Sequence, residues 1–240
     1  MSRQLILDLD VPPGLSRADL LVADANRDAL AMLDDTARWP QGRLLLVGPE
    51  GAGKSHIASF WTQEHRAVQL SAQDLEQPAA DGLAQQDGAL VVEDCDRIGG
   101  LGEAERALFH LWNLCPQRNC LLLLTARTAP RDWRLVLPDL RSRADSLAQV
   151  RLGLPDQALL AAVLVKLFAD RQLEVRPGLI DWLALRMDRD LGLARHLVDA
   201  LDRQALAEGR AVTRAMAATL LDGQAYVQPG GGAGNSGQPD

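Results

Sequence analysis

The chain has 240 residues, a net charge of −7 and a pI near 5.1, with 47% hydrophobic residues. That length suits one medium domain, or one domain with a small partner, and allows a core that needs no disulfide staples. The acidic balance argues against a broad electrostatic footprint on DNA, and no apolar run approaches the ~18 residues of a membrane span. Cys95, Cys115 and Cys120 have no zinc spacing with the four histidines, so free structural thiols in a reducing cytoplasm are expected.

Gln4-Leu5-Ile6-Leu7-Asp8-Leu9 comes first and is followed by Pro12-Pro13-Gly14, a flexible break. Residues 1–14 carry Asp8 and Asp10 and no long apolar segment, so they do not read as a signal peptide. An apolar hexapeptide outside a domain is either an edge strand or a segment that docks into a partner, and the residues alone leave both open. Leu15 to Trp39 reads as an extended lead-in and then a helix, with Asp24 as N-cap and Ala29, Leu30, Leu33 and Ala37 as the buried stripe. Pro40-Gln41-Gly42 ends that helix.

Arg43-Leu44-Leu45-Leu46-Val47 is a short apolar run that reads as a buried strand. Gly48-Pro49-Glu50-Gly51-Ala52-Gly53-Lys54-Ser55 follows, in the pattern G-x-x-x-x-G-K-S. Ser55 to His65 then has Ile57, Ala58 and Trp61 at helical spacing. Strand, glycine loop and helix start are the context a phosphate-binding loop requires. Glycines let successive backbone N–H groups turn toward a phosphate, and the helix N-terminus adds partial positive charge. In this pattern Lys54 reaches the β- and γ-phosphates, and the Ser55 hydroxyl ligates magnesium. The competing reading is a glycine turn with a chance lysine.

Strand and helix patterns alternate after the loop. Arg66–Leu70 is a weak strand, and Ser71 caps a short helix with Asp74 three residues on. Gly88 to Asp94 is a strand ending in two acids, and Glu103 to Cys115 a helix with Leu108, Leu111, Trp112 and Cys115 inward. Cys120 to Thr125 is another apolar strand, and Ser146 to Leu152 the last. Five short buried strands joined by helical crossovers predict an α/β fold with a parallel sheet covered on both faces. From Pro155 to Gly223 only helices are expected, near Asp156–Gln172, Gly178–Met187, Asp190–Glu208 and Thr213–Asp222. The expected organisation is a flexible peptide over 1–14, an α/β nucleotide-binding domain over 15–154, a helical lid over 155–223 and a disordered glycine-rich tail over 224–240.

In an open parallel sheet, ligands sit at the carboxyl ends of strands. Glu93 and Asp94 end one such strand; one acid there serves a magnesium shell, the other polarises water for attack on a γ-phosphate. Thr125 ends the neighbouring strand, either orienting water near a γ-phosphate or serving as an ordinary polar strand end. Arg141 and Arg143 follow that strand within Asp139-Leu140-Arg141-Ser142-Arg143. They are either surface salt-bridge partners or guanidiniums aimed at a phosphate on another subunit. Arg195 lies off the buried stripe Leu191, Ala194, Leu197, Val198 and Leu201, as a solvated residue or a lid arginine over the nucleotide.

Together the phosphate loop Gly48–Ser55, the acidic strand end Glu93-Asp94, the polar strand end Thr125, the segment Asp139–Arg143 and a helical lid resemble an AAA+ module. More narrowly, Gly51-Ala52-Gly53-Lys54-Ser55-His56, Leu140-Arg141-Ser142-Arg143 and Leu21-Val22-Ala23-Asp24-Ala25-Asn26-Arg27 are similar to the DnaA replication initiators. The resemblance covers roughly 15–223. Nothing after Gly223 has the pattern of the initiator's helix-turn-helix domain, and Gln4–Leu9 resembles the Gln-Leu-x-Leu-x-Leu peptide that bacterial proteins insert into the β sliding clamp. The combination resembles the Hda/HdaA-type regulatory inactivators of DnaA, with Trp39-Pro40 fitting that branch.

The resemblance implies that the chain holds ADP or ATP through Gly48 to His56, Thr125 and Arg195, with Mg2+ on Ser55 and Glu93 by way of the nucleotide. It implies clamp binding through Gln4, Leu5, Ile6, Leu7, Asp8 and Leu9. It implies Arg143 as a trans arginine finger for DnaA-bound ATP, contact with DNA only through the clamp, and no membrane. A homodimer is among the assemblies it allows. Glu93 stands where the family has Asp, Ala126-Arg127 follow Thr125 where the initiator has an acid, Asp139 replaces the initiator's first arginine, and the family's lid arginine falls near Gly192. An autonomous AAA+ ATPase and a helicase-loader-like adaptor are the alternative readings.

Overall fold

The computed structural model of the protein describes Arg17, residues 20–75 and residues 88–224. The hexapeptide Gln4–Leu9 and the glycine-rich stretch 229–237 lie outside the described residues.

Five strands, β1 (Arg43–Val47), β2 (Val68–Ser71), β3 (Ala89–Glu93), β4 (Leu121–Ala126) and β5 (Gln149–Arg151), form one sheet in the order β2-β3-β4-β1-β5. Every pairing is parallel, with Leu45 opposite Leu124, Val47 opposite Ala126 and Leu46 opposite Val150. All five residues of β1 are buried, which is why its pattern is a continuous apolar run and not an alternation. The side chains still alternate by face. Leu45, Val47, Val92, Leu122 and Leu124 pack against Leu108 and Leu111 of α3 (Gly102–Gln117) and Leu140 and Ala144 of α4 (Pro138–Asp145). Leu44, Leu46, Val91 and Leu123 pack against Leu30 and Leu33 of α1 (Arg27–Asp34) and Ile57, Ala58, Phe60 and Trp61 of α2 (Lys54–His65). Each fully buried Leu or Ile contributes roughly 1.5–3 kcal/mol relative to exposure, so two cores clasp the sheet between its helices.

Four further helices, α5 (Gln157–Asp170), α6 (Pro177–Arg186), α7 (Leu191–Glu208) and α8 (Arg214–Gln224), have a third core of their own, built on Leu160, Leu164, Phe168, Leu183, Leu197 and Leu201. Their boundaries follow local chemistry. The Asp156 carboxylate accepts the Leu159 N–H at 2.7 Å at the start of α5, and the Asp190 carboxylate accepts the Leu193 N–H at 2.8 Å at the start of α7. Gly209 ends α7 at φ 60°, a left-handed C-cap. Among the described residues no helix is long and apolar enough to cross a membrane.

Two local expectations differ from the fold. Helix α1 is entered from Asn26, not capped by Asp24, and it ends at Asp34, leaving Ala37 exposed. Asn26 faces backward: its Oδ1 accepts the Ala23 N–H and its Nδ2 donates to the Leu21 carbonyl, both at 2.8 Å, so it pins the preceding extended segment. The place expected for Ala37 in the core is taken by Trp39, whose indole N–H donates to the Met32 carbonyl at 2.8 Å. The arginine-bearing segment after β4 is helical, with Pro138 at its first turn.

Candidate functional site

The loop between β1 and α2 is held open by its own backbone. Gly48 N–H donates to Ala126 O at 3.1 Å, tying the loop to the end of β4. Gly51 and Gly53 sit at φ 76° and 96°, in the left-handed region. Gly53 is the N-cap of α2 and offers no side-chain cap, which leaves the first-turn N–H groups for an anion. Lys54 is buried, and its ammonium donates to Gly48 O at 2.6 Å and Pro49 O at 2.9 Å. Burial, and then the charge of Arg127, hold its pKa below the ordinary lysine value, against the pull of Asp94, Asp96 and Glu50. A lysine so placed gains from any anion that enters.

At the strand ends the structure separates residues that are adjacent in the sequence. Asp94 lines the cleft with Lys54 and Ser55. Glu93 is turned toward β2, where Gln69 Nε2 donates to its Oε1 at 2.5 Å and Thr62 Oγ1 in turn donates to Gln69 Oε1 at 3.0 Å. Thr125 is fully buried, and its hydroxyl accepts the Asp94 N–H at 3.2 Å, so it supports the backbone of the acid. Asp94 itself has φ 58°, an unusual backbone state for a non-glycine residue.

The helical unit closes over the loop. Leu191 N–H donates to Gly51 O at 2.9 Å, and a Cβ on Gly51 would collide with the Asp190 carboxyl group. Between sheet end and helices lies a cleft of about 900 Å3. Leu20, Leu21, Leu159 and Val163 give it apolar lining, and Glu50, Lys54, Ser55, Asp94, Arg127, Lys166 and Asp170 polar lining. His56, Gly192 and Arg195 also line it. A cleft of mixed lining beside a phosphate-type loop suits a ligand with an apolar ring and a phosphate chain.

Among the described residues no group of three His, Cys, Asp or Glu side chains is placed to hold a metal by itself. Of the expected magnesium pair Ser55 and Glu93, Glu93 is turned to Gln69, and the donors that line the cleft are the Ser55 hydroxyl and the Asp94 carboxylate, which fit a magnesium ion that takes most of its oxygens from phosphate and water.

Arg143 is exposed on α4 and lies away from this cleft, its guanidinium 5.1 Å from the Phe109 ring centroid. Two functional candidates were not legible as such. Arg127, one residue past β4, points back to the loop: its Nη1 meets Glu50 Oε2 at 2.6 Å, and its backbone N–H donates to Asp96 Oδ1 at 3.0 Å. Glu105, three residues before Leu108 on the inward stripe of α3, is buried. Its carboxylate accepts N–H groups of Gly100 at 2.8 Å, Val136 at 3.0 Å and Leu137 at 2.7 Å, which fixes the loop that leads into α4.

No family model matches the chain. In three dimensions it is similar to domain III of the Thermotoga maritima replication initiation protein DnaA, with a TM-score of 0.74 at 19% identity, covering 88% of this chain and 97% of that one. AMPPCP-bound DnaA from Aquifex aeolicus aligns with a TM-score of 0.65 at 18% identity, over 82% of this chain and 66% of that one. A point variant of Thermotoga maritima RuvB aligns with a TM-score of 0.65 at 16% identity, over 86% of this chain and 71% of that one. The fold is therefore the one these proteins have, a five-stranded parallel α/β sheet followed by a small helical unit.

Proposed function

We propose that this chain is a nucleotide-holding regulator of replication initiation of the Hda/HdaA type. In this reading ADP or ATP, with Mg2+, occupies the cleft under the lid, with the phosphates on Gly48–Ser55 and the base between Leu21 and Val163. Gln4–Leu9 docks on the β sliding clamp, so that DNA is met only through the clamp, and Arg143 is presented to ATP held by DnaA. The single observation that carries the reading is Arg143, exposed and outside its own cleft, on a helix whose approach is held by buried Glu105. A guanidinium in that position is free to serve a neighbour's phosphates and is poorly placed to serve its own. Supplied in trans, such a group neutralises charge on the transferring phosphoryl oxygens and is worth about 10³–10⁵ in rate. The likeness to DnaA domain III supports pairing between two modules of one shape.

The experiment mixes the purified protein, clamp loaded on DNA and DnaA carrying labelled ATP, and follows ADP formation. The intact protein accelerates hydrolysis, Arg143→Ala does not and still binds ADP, and deletion of Gln4 to Leu9 removes both clamp binding and stimulation. Stimulation by Arg143→Ala equal to that of the intact protein overturns the finger assignment. A second reading, an autonomous ATPase, is favoured by Asp94 lying in the cleft beside Lys54 and Ser55. It requires turnover by the isolated protein that vanishes in Asp94→Asn; absence of turnover rejects it.

A further inference from the structure

Trp182 of α6 is the centre of a side-chain cluster outside the cleft. Its ring is half-buried and packs on the third core. Two guanidiniums stand over that ring, Arg186 at 5.1 Å and Arg214 at 4.7 Å from its centroid. Both arginines are exposed, and neither is in an ion pair with a described carboxylate. The Trp182 indole N–H is shielded from solvent and has no acceptor among the described residues. None of the three side chains lines the cleft. We infer that this cluster is a docking site for an acidic, leucine-bearing segment of a partner protein, whose carboxylates are held by Arg186 and Arg214 over the Trp182 ring. The site is separate from the nucleotide cleft and does not rest on the reading above.

Every polar group in the cluster donates and none accepts. Two guanidiniums and an indole N–H gather around one ring, and what they lack is an oxyanion. Helix electrostatics do not explain the arrangement. Arg186 ends α6, where a cation favours the helix, but Arg214 is the first residue of α8, where a cation opposes the macrodipole. Trp182, Leu185 and Arg186 share one face of α6 through the spacings i, i+3 and i+4, and Leu185 is 69% exposed. The surface thus offers an apolar contact beside the donors. A carboxylate takes a guanidinium in a bidentate fork, and tryptophan and arginine are enriched among the residues that dominate binding at protein interfaces. Nucleic acid fits the surface less well. Its affinity grows with the number of phosphates neutralised, and two arginines neutralise few. A phosphate backbone gives Leu185 no apolar contact, and the chain's net charge of −7 repels a long polyanion.

The test follows the fluorescence anisotropy of a labelled peptide, glutamate pairs separated by leucines, titrated with the full-length protein at about 50 mM salt. A peptide of the same length with lysine for glutamate and a single-stranded oligonucleotide are the other arms. The intact protein is expected to bind the glutamate peptide at least roughly tenfold more tightly than the lysine peptide. Arg186→Ala together with Arg214→Ala is expected to lower that affinity at least roughly tenfold, and Leu185→Ser about threefold. Arg186→Glu together with Arg214→Glu is expected to reverse the preference toward the lysine peptide, a gain that loss of folding does not produce. Affinity for the glutamate peptide unchanged within about twofold in the double alanine variant overturns the inference, as does absence of binding by the intact protein. Tighter binding of the oligonucleotide that is lost in the same double variant assigns the cluster to nucleic acid and overturns the peptide assignment.

Discussion

Glu105 Oε2 accepts the backbone N–H of Leu137 at 2.7 Å, and the same carboxylate accepts the N–H of Val136 and of Gly100. A buried acid on α3 thus organises the turn from which α4, and with it Arg143, departs. Replacing Glu105 by Ala takes the acceptor from three N–H groups, two of them on the exposed residues Gly100 and Val136, where water replaces it. A hydrogen bond to a charged group is worth about 1.5–3 kcal/mol, so with the Leu137 N–H as the main loss Glu105→Ala is expected to lose roughly 2–4 kcal/mol of stability. Denaturant unfolding measures this, and a loss under ~0.5 kcal/mol shows that the carboxylate is not structural.

Gly51 carries the lid as well as the loop. Its φ of 76° disfavours any side chain, and a Cβ would meet the Asp190 carboxyl group at the cap of α7. Gly51→Ala is therefore expected to displace α7 and, on the nucleotide reading proposed above, to weaken ADP binding by at least roughly tenfold. Adding Asp190→Gly removes both the carboxyl group and the Cβ that lies 2.7 Å from the new methyl group, and restores part of the affinity. Calorimetric titration of the single and double variants checks both steps; equal affinities in the two would show that the collision is relieved elsewhere.

Thr125 and Asp94 form a second long-range pair. The Thr125 hydroxyl accepts the Asp94 N–H at 3.2 Å where Asp94 has a left-handed backbone. Thr125→Val keeps the shape and removes the acceptor, which is expected to cost about 1–3 kcal/mol. Thermal unfolding reads it, and an unchanged midpoint would mean that water replaces the hydroxyl.

The thiols are expected to be inert. Burial pushes the Cys95 thiol well above its ordinary range, and the Cys115 thiol is pushed up first by its hydrogen bond with Cys120 and then by burial. All three cysteines are buried thiols. Iodoacetamide at about pH 8 is expected to label none of them in the native protein and all three in denaturant, read by intact mass. Rapid labelling of native Cys95 or Cys115 contradicts the packing described.

The parts of the site that were legible are those written in consecutive residues. The loop Gly48–Ser55, the helix that follows it and the apolar strands declare themselves because glycine geometry and burial act over a few positions, and the structure has each of them. The roles of the strand-end residues were not legible in the same way. Glu93 and Asp94 are neighbours with the same chemistry, and the strand pleat sends Glu93 toward Gln69 while Asp94 turns to the cleft. Asp24 and Asn26 are both good caps by composition, and neither caps α1, because Asn26 serves the segment behind it.

By itself the amino-acid order determined the layered architecture, the glycine loop after β1 and the helices that follow the sheet, since propensity and hydrophobic period are properties of short stretches. The tertiary structure decided which charges meet: Arg127 with Glu50, Glu105 with the loop before α4, Asp190 against Gly51. Such pairs join elements far apart along the chain. Their existence depends on strand order and helix packing, so no local pattern of residues announces them.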